Sequence, residues 1–325
     1  MKKLILIDAN AIVHKAFHAL PPLTNREGEQ INAIYGFASI LLKIINELKP
    51  DYLAAAYDLP APTFRHIEYD GYKAQRPEAP DELKYQIPKT QEILQGFNTP
   101  FFCKEGFEAD DVIGTIAKKF SDKLEILILT GDLDTLQLVN KNIKIYALRR
   151  GMTDTVIYDA KQVFERYGLK PEQMIDYKGL RGDPSDNIPG IKGVGEKTAI
   201  VLLKEFKTIE NMYKIIDKMK PEQVKNYKFL TPRLLERIKQ EKQMAFFSRK
   251  LATIHCKVPI KVSLEDLDWK KGYNIKNAEL ALDKFHFKSL INRLYSREGK
   301  PKVPTAVGIP TEVGKIKITN QQNLF

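Results

Sequence analysis

Hydrophobic and polar positions change their period along the chain. Leu4–Ile7, Leu53–Tyr57, Glu125–Thr130 and Ile143–Tyr146 are short apolar runs of the length expected for buried strands. Ile34–Leu48 and Asp110–Phe120 instead carry apolar residues at helical spacing, the second placing Val112, Ile113, Ile116 and Phe120 on one face. This alternation predicts an α/β fold, a parallel sheet wrapped by helices. Ligands of such sheets gather beyond the carboxyl ends of the strands, where Asp8, Asp58 and Asp132 stand. The second half lacks the strand pattern. Pro171–Leu180, Glu196–Phe206 and Thr231–Leu251 read as helices, followed by a shorter helical stretch over Ala278–Leu294. Lys161–Gly168 joins the halves without a flexible composition, so closely packed domains over 1–168 and 169–296 are expected. From residue 297 to 325, Gly, Pro, Lys, Thr and Asn without periodicity read as a disordered tail.

Composition narrows the partner. The chain of 325 residues has 52 Lys plus Arg against 41 Asp plus Glu, a formal net charge of +11. Its pI near 9.3 suits a polyanion, although many basic proteins bind none. Cys103 and Cys256 form no CxxC pair, which argues against a disulfide framework or a zinc site. The apolar run after Met1 stops at Asp8, too short for a signal peptide. No stretch approaches the ~20 apolar residues of a membrane span. A soluble, cytoplasmic protein is expected.

The acids carry the candidate chemistry. Glu108, Asp110 and Asp111 open a helix; capping explains one acid there, not all of them. Asp132 and Asp134 alternate in a turn after a strand, where an Asx-turn needs only one. Asp183 and Asp186 flank a turn and, alone, read as caps. Acids gathered on one surface would repel unless cations sat among them, and hard divalent metals take oxygen ligands. Gly190, Gly193 and Gly195 set off Ile191 and Val194 directly before a helix carrying Lys197, with Lys192 in the loop. That spacing suits backbone approach to a phosphate; a plain turn is the alternative. Phe64–Pro88 mixes Arg65, Tyr72, Lys73, Arg76, Lys84 and Tyr85 with prolines, as a nucleic-acid contact or a solvated loop would. His14 and His18 lie four apart on a helical face, a packed or surface pair rather than a metal site.

Taken together, LILIDANAIVHKAFHALPPLTN, YDLPAPTFRH, YKAQRP, FEADDVIGTIA, LTGDLDTLQLV and GDPSDNIPGIKGVGEKTA resemble the bacterial 5′→3′ exonuclease domain of DNA polymerase I and its flap endonuclease relatives. The resemblance spans residues 1–294. It implies a PIN-like sheet with a helical arch, then a SAM-like helical domain with a helix–three-turn–helix. It also implies two metal sites, Asp8, Asp58, Glu108, Asp110 and Asp111 forming the first and Asp132, Asp134, Asp183 and Asp186 the second, filled by Mg²⁺ or Mn²⁺. Lys73 and Arg76 match a catalytic basic pair at the base of the arch, and Tyr72 an aromatic supporting an unpaired nucleotide. Gly190–Ala199 looks like the loop that grips duplex phosphates, with K⁺ as a companion ion. The chain departs from the family at Ala9, where glycine is usual, and at Lys15, where arginine is usual. Lysine keeps the charge at this DNA-binding position but loses the bidentate fork.

The implied activity is metal-dependent 5′→3′ exonuclease and flap endonuclease cleavage by a monomer, removing RNA primers and 5′ flaps from branched or nicked DNA. A DNA-binding protein with lapsed catalysis and a related RNA nuclease are the rivals; the intact acids oppose the first and the glycine loop the second. The terminal Gln321, Leu324 and Phe325 resemble the pentapeptide by which bacterial replication proteins dock on the sliding clamp. A chance match is the alternative; the clamp reading would favour a free-standing protein over a part of a longer polymerase.

Overall fold

The apolar runs become the centre of a six-stranded sheet in this computed structural model, which describes residues 1–296. In chain order the first half comprises β1 (Lys2–Asp8), α1 (Ala9–Ala19), α2 (Asn32–Leu48), β2 (Tyr52–Ala56), α3 (Phe64–Glu68), α4 (Asp81–Gly96), β3 (Phe101–Phe102), α5 (Ala109–Phe120), β4 (Leu124–Thr130), β5 (Ile143–Leu148), β6 (Thr155–Tyr158) and α6 (Ala160–Tyr167). The second half follows with α7 (Met174–Arg181), α8 (Glu196–Phe206), α9 (Ile209–Ile216), α10 (Pro232–Gln240), α11 (Lys242–Ala252), α12 (Ile275–Asp283) and α13 (Lys288–Ser296). The strand order is β3-β2-β1-β4-β5-β6, parallel except for β6. Among the described residues no helix is long and apolar enough to cross a membrane.

Strand alternation divides the core into two layers. Leu4, Leu6, Ile126 and Ile128 point to the face covered by α5 and residues of α7–α11. Ile5, Ile7, Leu127 and Leu129 point to the opposite face, beneath α1, α2 and α4. Residues after 267 return to that second face. Leu53 N donates to Leu267 O at 3.0 Å, and Asn98 Nδ2 to Trp269 O at 2.7 Å. Trp269 is buried with its indole N–H on Pro50 O, and Ala278, Leu282, Leu290 and Leu294 complete the layer. The helices expected as one domain over 169–296 therefore divide between the two faces of the sheet.

Several elements differ from the sequence expectation. The single helix over Thr231–Leu251 is broken at Glu241, whose carboxylate turns aside to accept Lys192 N at 2.6 Å. The stretch Ala278–Leu294 is two helices, separated by a left-handed His286. Helix α4 was hidden by Pro88 and its many polar residues, and packs through Leu83, Ile93 and Leu94. β3, of two residues, and the half-exposed edge strand β6, of four, are too short to show a strand pattern.

Because Trp269 anchors the return of the chain, Trp269→Ala should lower unfolding stability by about 3–5 kcal/mol. Denaturant titration of the purified protein measures this; a change within error would mean that α12 and α13 dock without it.

Candidate active site

Parallel strands deliver the first acids to one edge. Asp8 ends β1 and caps α1, its Oδ1 accepting Ala11 N at 3.0 Å and its Oδ2 the buried Thr130 hydroxyl at 2.7 Å. Asp58 follows β2; its Oδ1 accepts Ala109 N at 2.7 Å, while its own N–H donates to Asn10 at 3.0 Å. Asp132 follows β4, and its Oδ1 accepts Asp134 N at 2.8 Å. Asp110, in the first turn of α5, has a buried Oδ1 with no hydrogen-bond partner. Asp8, Asp58, Glu108, Asp110 and Asp132 line one open cavity of about 540 Å³ together with Lys73, Arg76, Lys15, His14 and His18. A neighbouring space of about 30 Å³, lined by Glu108, Asp110, Asp132, Asp134 and Asp186, joins the two acid sets.

Cations are unequally distributed around this ring. Among the described residues Asp8, Asp58, Asp110 and Asp132 have no Lys or Arg ion pair, only the hydrogen bonds given above. Glu108 by contrast accepts Lys73 Nζ at 2.9 Å and the Tyr72 hydroxyl at 3.2 Å. Asp186 pairs with Arg76 and accepts the Tyr72 hydroxyl at 3.1 Å. Lys178 lies between Asp134, at 2.6 Å, and Asp183. Asp183 Oδ1 also accepts Ser185 N and Oγ at 2.9 and 2.6 Å. No group of three or more His, Cys, Asp or Glu side chains among the described residues is closed around a point where an ion would sit. The carboxylates ring the space instead. An orphaned Asp110 oxygen among like charges is nevertheless what a hard, partly hydrated cation would relieve.

Three residues sit differently from the sequence expectation. Asp111 is fully buried, and both its oxygens are engaged: Arg65 binds it bidentately at 2.8 and 2.8 Å, with Glu108 N at 3.0 Å and His255 N at 2.7 Å. It is a structural ion-pair partner with no oxygen turned to the cavity. Arg65 is buried for the same reason, so it does not meet phosphates as the loop composition suggested. Tyr72 is buried against Ile188 and Leu251, its ring packed edge-on to His66. It cannot stack on a nucleotide in this arrangement; its hydroxyl bridges Glu108 and Asp186 instead. The connection expected as an arch is pinned to the turn carrying Asp186, through Lys73 N to Asp186 O at 2.9 Å and Asn187 Nδ2 to Gly71 O at 2.7 Å. Lys73 adopts a left-handed φ of 55° to make this approach.

The same sheet-edge architecture recurs in known proteins. Residues 3–168 match the model of the 5'-3' exonuclease N-terminal resolvase-like domain, and residues 169–274 that of the 5'-3' exonuclease C-terminal SAM fold. The chain belongs to the 5'-3' exonuclease family. It is thereby a nuclease, with the PIN-like and SAM-like architecture expected from the sequence. A 5'-3' exonuclease of Aquifex aeolicus is 38% identical over 295 residues, covering 90% of this chain and 96% of that protein. DNA polymerase I of Caldicellulosiruptor bescii is 44% identical over 295 residues, which are 90% of this chain but 33% of the polymerase. The chain thus spans about a third of the polymerase relatives it matches. The fold resembles T5 5'-exonuclease solved with bound zinc, with a TM-score of 0.62, 19% identity, and coverage of 90% of this chain and 100% of that one. It also resembles a T5 D15 flap endonuclease complex with DNA and metal ions, with a TM-score of 0.60, 18% identity, and coverage of 92% and 100%.

In this 5'-3' exonuclease family member the glycine loop is divided between the interior and the surface. Gly190 is buried with φ of 63°, its N–H donating to Ser248 Oγ at 2.9 Å, and a β-carbon there would collide with the Gly182 backbone. It is a packing glycine, not the phosphate contact expected, and it holds the Asp183–Ile188 turn in place. Ile191 and Val194 plug into the core, while Lys192, Gly193, Gly195 and Lys197 are exposed at the start of α8. Lys192 N is already taken by Glu241, and Arg237 donates to Lys192 O at 3.1 Å. Lys15 lines the cavity while donating to Arg149 O at 3.0 Å. Sequence reasoning missed Lys178, Thr130, Asn10 and Arg237. A threonine ending β4 beside the acids is a faint signal for Thr130; Lys178 has none.

Crowded carboxylates make the protein pH-sensitive. Burial, with Asp58 and Asp132 adding to it, pushes Asp8 up to about 7. Burial and Asp132 push Asp134 up to about 7 despite Lys178. Asp110 is raised well above the carboxylate range by burial, then by Asp8, Asp132 and Asp58. These carboxyls hold protons that the unfolded chain releases near pH 4. The folded state therefore binds more protons between about pH 4 and 7, and stability falls as pH rises through that window. Asp183 is burdened by burial, yet its bonds to Lys178 and Ser185 lower its pKa, so its contribution is lost only at more acid pH. In chelator the melting temperature should be lower at pH 8 than at pH 5.5, with Asp110→Asn reducing the difference. A melting temperature that rises over this range would contradict the raised carboxyls.

Proposed function

We propose that this nuclease is a divalent-metal-dependent 5′ exonuclease and flap endonuclease that cuts nicked or branched DNA and RNA primer–DNA junctions, leaving 5′-phosphates. The observation that carries this reading is the set Asp8, Asp58, Asp110 and Asp132 at the carboxyl edge of the sheet, none of them in a Lys or Arg ion pair among the described residues, with one Asp110 oxygen orphaned. Asp8, Asp58, Glu108 and Asp110 would hold a first Mg²⁺ or Mn²⁺, and Asp132, Asp134, Asp183 and Asp186 a second. When bound, such ions supply an activated water and a clamp on the attacking and leaving oxygens of a phosphodiester. Lys73 and Arg76 reach the cavity from the connection before α4, and trading Glu108 and Asp186 for a phosphate would place their charge where negative charge develops. The exposed Lys192, Gly193, Gly195 and Lys197 would take duplex phosphates, K⁺ assisting.

A 5′-flap substrate should be cleaved with Mg²⁺ or Mn²⁺ and left intact in chelator. Asp110→Ala should abolish cleavage while flap binding persists, and Lys73→Ala should slow turnover by about 10²-fold. Undiminished cleavage in chelator would overturn the reading.

Gln321, Leu324 and Phe325 lie outside the described residues. Their proposed role is apolar docking on a sliding clamp, with Gln321 at the pocket rim. A peptide of residues 315–325 should then bind the clamp in the micromolar range, and the double change Leu324→Ala, Phe325→Ala should abolish binding; fluorescence anisotropy decides.

A further inference from the structure

We propose that Lys178 is a built-in cation of the second acid set, an ammonium lock that a divalent ion must displace before it can sit there. The inference rests on the two-ion reading above. Its basis is a difference between the two sets. Asp110 offers a buried oxygen that nothing satisfies. Asp134 and Asp183 offer none of that kind, because Lys178 Nζ stands between them. Asp183 is satisfied on its other side by Ser185, and Asp134 is held through its N–H by Asp132.

The lock is enclosed. The Lys178 side chain is 15% exposed and Asp183 9%, whereas the Arg76 side chain that pairs with Asp186 is 48% exposed. Neither Lys178 nor Asp183 lines the cavity or the small space joining the two acid sets. Lys178 thus stands between Asp183 and Asp134, the acid that does line the small space. An ammonium is a compact point charge with three donors, so it can occupy a position suited to a metal ion. It cannot share that position with a divalent cation, because like charges a few ångströms apart in a half-buried site repel strongly.

Movement falls to the lysine stem. Its helix α7 is tied down by Asp176, which accepts Arg249 at 3.0 Å and Ile209 N at 3.1 Å. Four methylenes let the ammonium swing away without moving that helix. The consequence is an order of loading. Among the described residues, Asp8, Asp58 and Asp110 of the first set are in no Lys or Arg ion pair, only Glu108 there holding Lys73, so an ion enters among them without displacing an ammonium from between two acids. The second set must give up Lys178, exchanging its single positive charge for a double one.

Mn²⁺ titration of the full chain by calorimetry tests this. The wild-type protein should bind one ion at least about tenfold more tightly than a second. Lys178→Met keeps the stem and removes the charge, and should tighten the second ion by about tenfold or more; Lys178→Arg should keep the gap. A second ion no tighter in Lys178→Met would overturn the lock and leave the metal reading standing. No Mn²⁺ binding in any variant would overturn both. Should Lys178→Met fail to fold, amine acetylation of the wild-type chain, read by mass spectrometry, gives an independent answer. Lys178 should be protected in chelator and become reactive as the second ion loads, while the exposed Lys161 reacts equally in both conditions. Unchanged or increased protection of Lys178 with Mn²⁺ would overturn the proposal.

Discussion

Repulsion among Asp8, Asp58, Asp110 and Asp132 is the constraint to which the rest of the structure answers. Each stands at the end of a parallel strand or the start of the helix beside it, so the fold itself brings like charges together. The protein supplies hydrogen bonds that aim these carboxylates, from Thr130, Ala11, Ala109 and the Asp134 backbone. Among the described residues it pairs no Lys or Arg with them, although Lys15, Lys73 and Arg76 line the same cavity. Burial without a counter-charge raises the energy of the ionised form, and a site kept in that condition is built for a charge brought from outside.

The cations nearby are assigned to other tasks. Arg65 is spent on Asp111, and its remaining donors reach Leu251 O at 2.8 Å and Thr253 O at 2.9 Å. Asp111 in turn accepts His255 N. This buried pair therefore couples α3, α5 and the segment leaving α11, joining the sheet edge to the helical half. Removing one partner of such a pair typically costs about 3–5 kcal/mol, because the other charge is left stranded. Lys73 and Arg76 are less enclosed and lie on the cavity wall, where their present carboxylate partners can be exchanged.

Much of this was legible in the sequence because it follows from period. Strands β1, β2, β4 and β5 are built around buried apolar runs, and the acids at or just past their ends inherit the position of the strand end. What period cannot reveal is which of two adjacent acids turns inward. Asp110 and Asp111 are neighbours in one helical turn, yet one faces the cavity and the other Arg65, a partner 46 residues away in sequence. Tyr72 failed for a related reason. An aromatic beside cations reads as a stacking platform, but Ile188 and Leu251 bury its ring, and both come from the far half of the chain. Lys178 is one lysine among many until the turn at Asp183 folds back beside it.

That turn carries the last link in the arrangement. Asp183 and Ile188 exchange backbone hydrogen bonds, and Gly182 and Gly190 pack together without β-carbons between them. On one side of it, the Asp186 carbonyl holds the backbone of Lys73. On the other, the chain passes within a few residues to the exposed Gly193, Gly195 and Lys197. Residues that face outward and residues that set the turn carrying Asp183 and Asp186 thus belong to one continuous segment, closed by glycines at both ends. A side chain at Gly190 would disturb the acids before it touched any ligand, which is why a motif read as a surface contact is also part of the interior of the site.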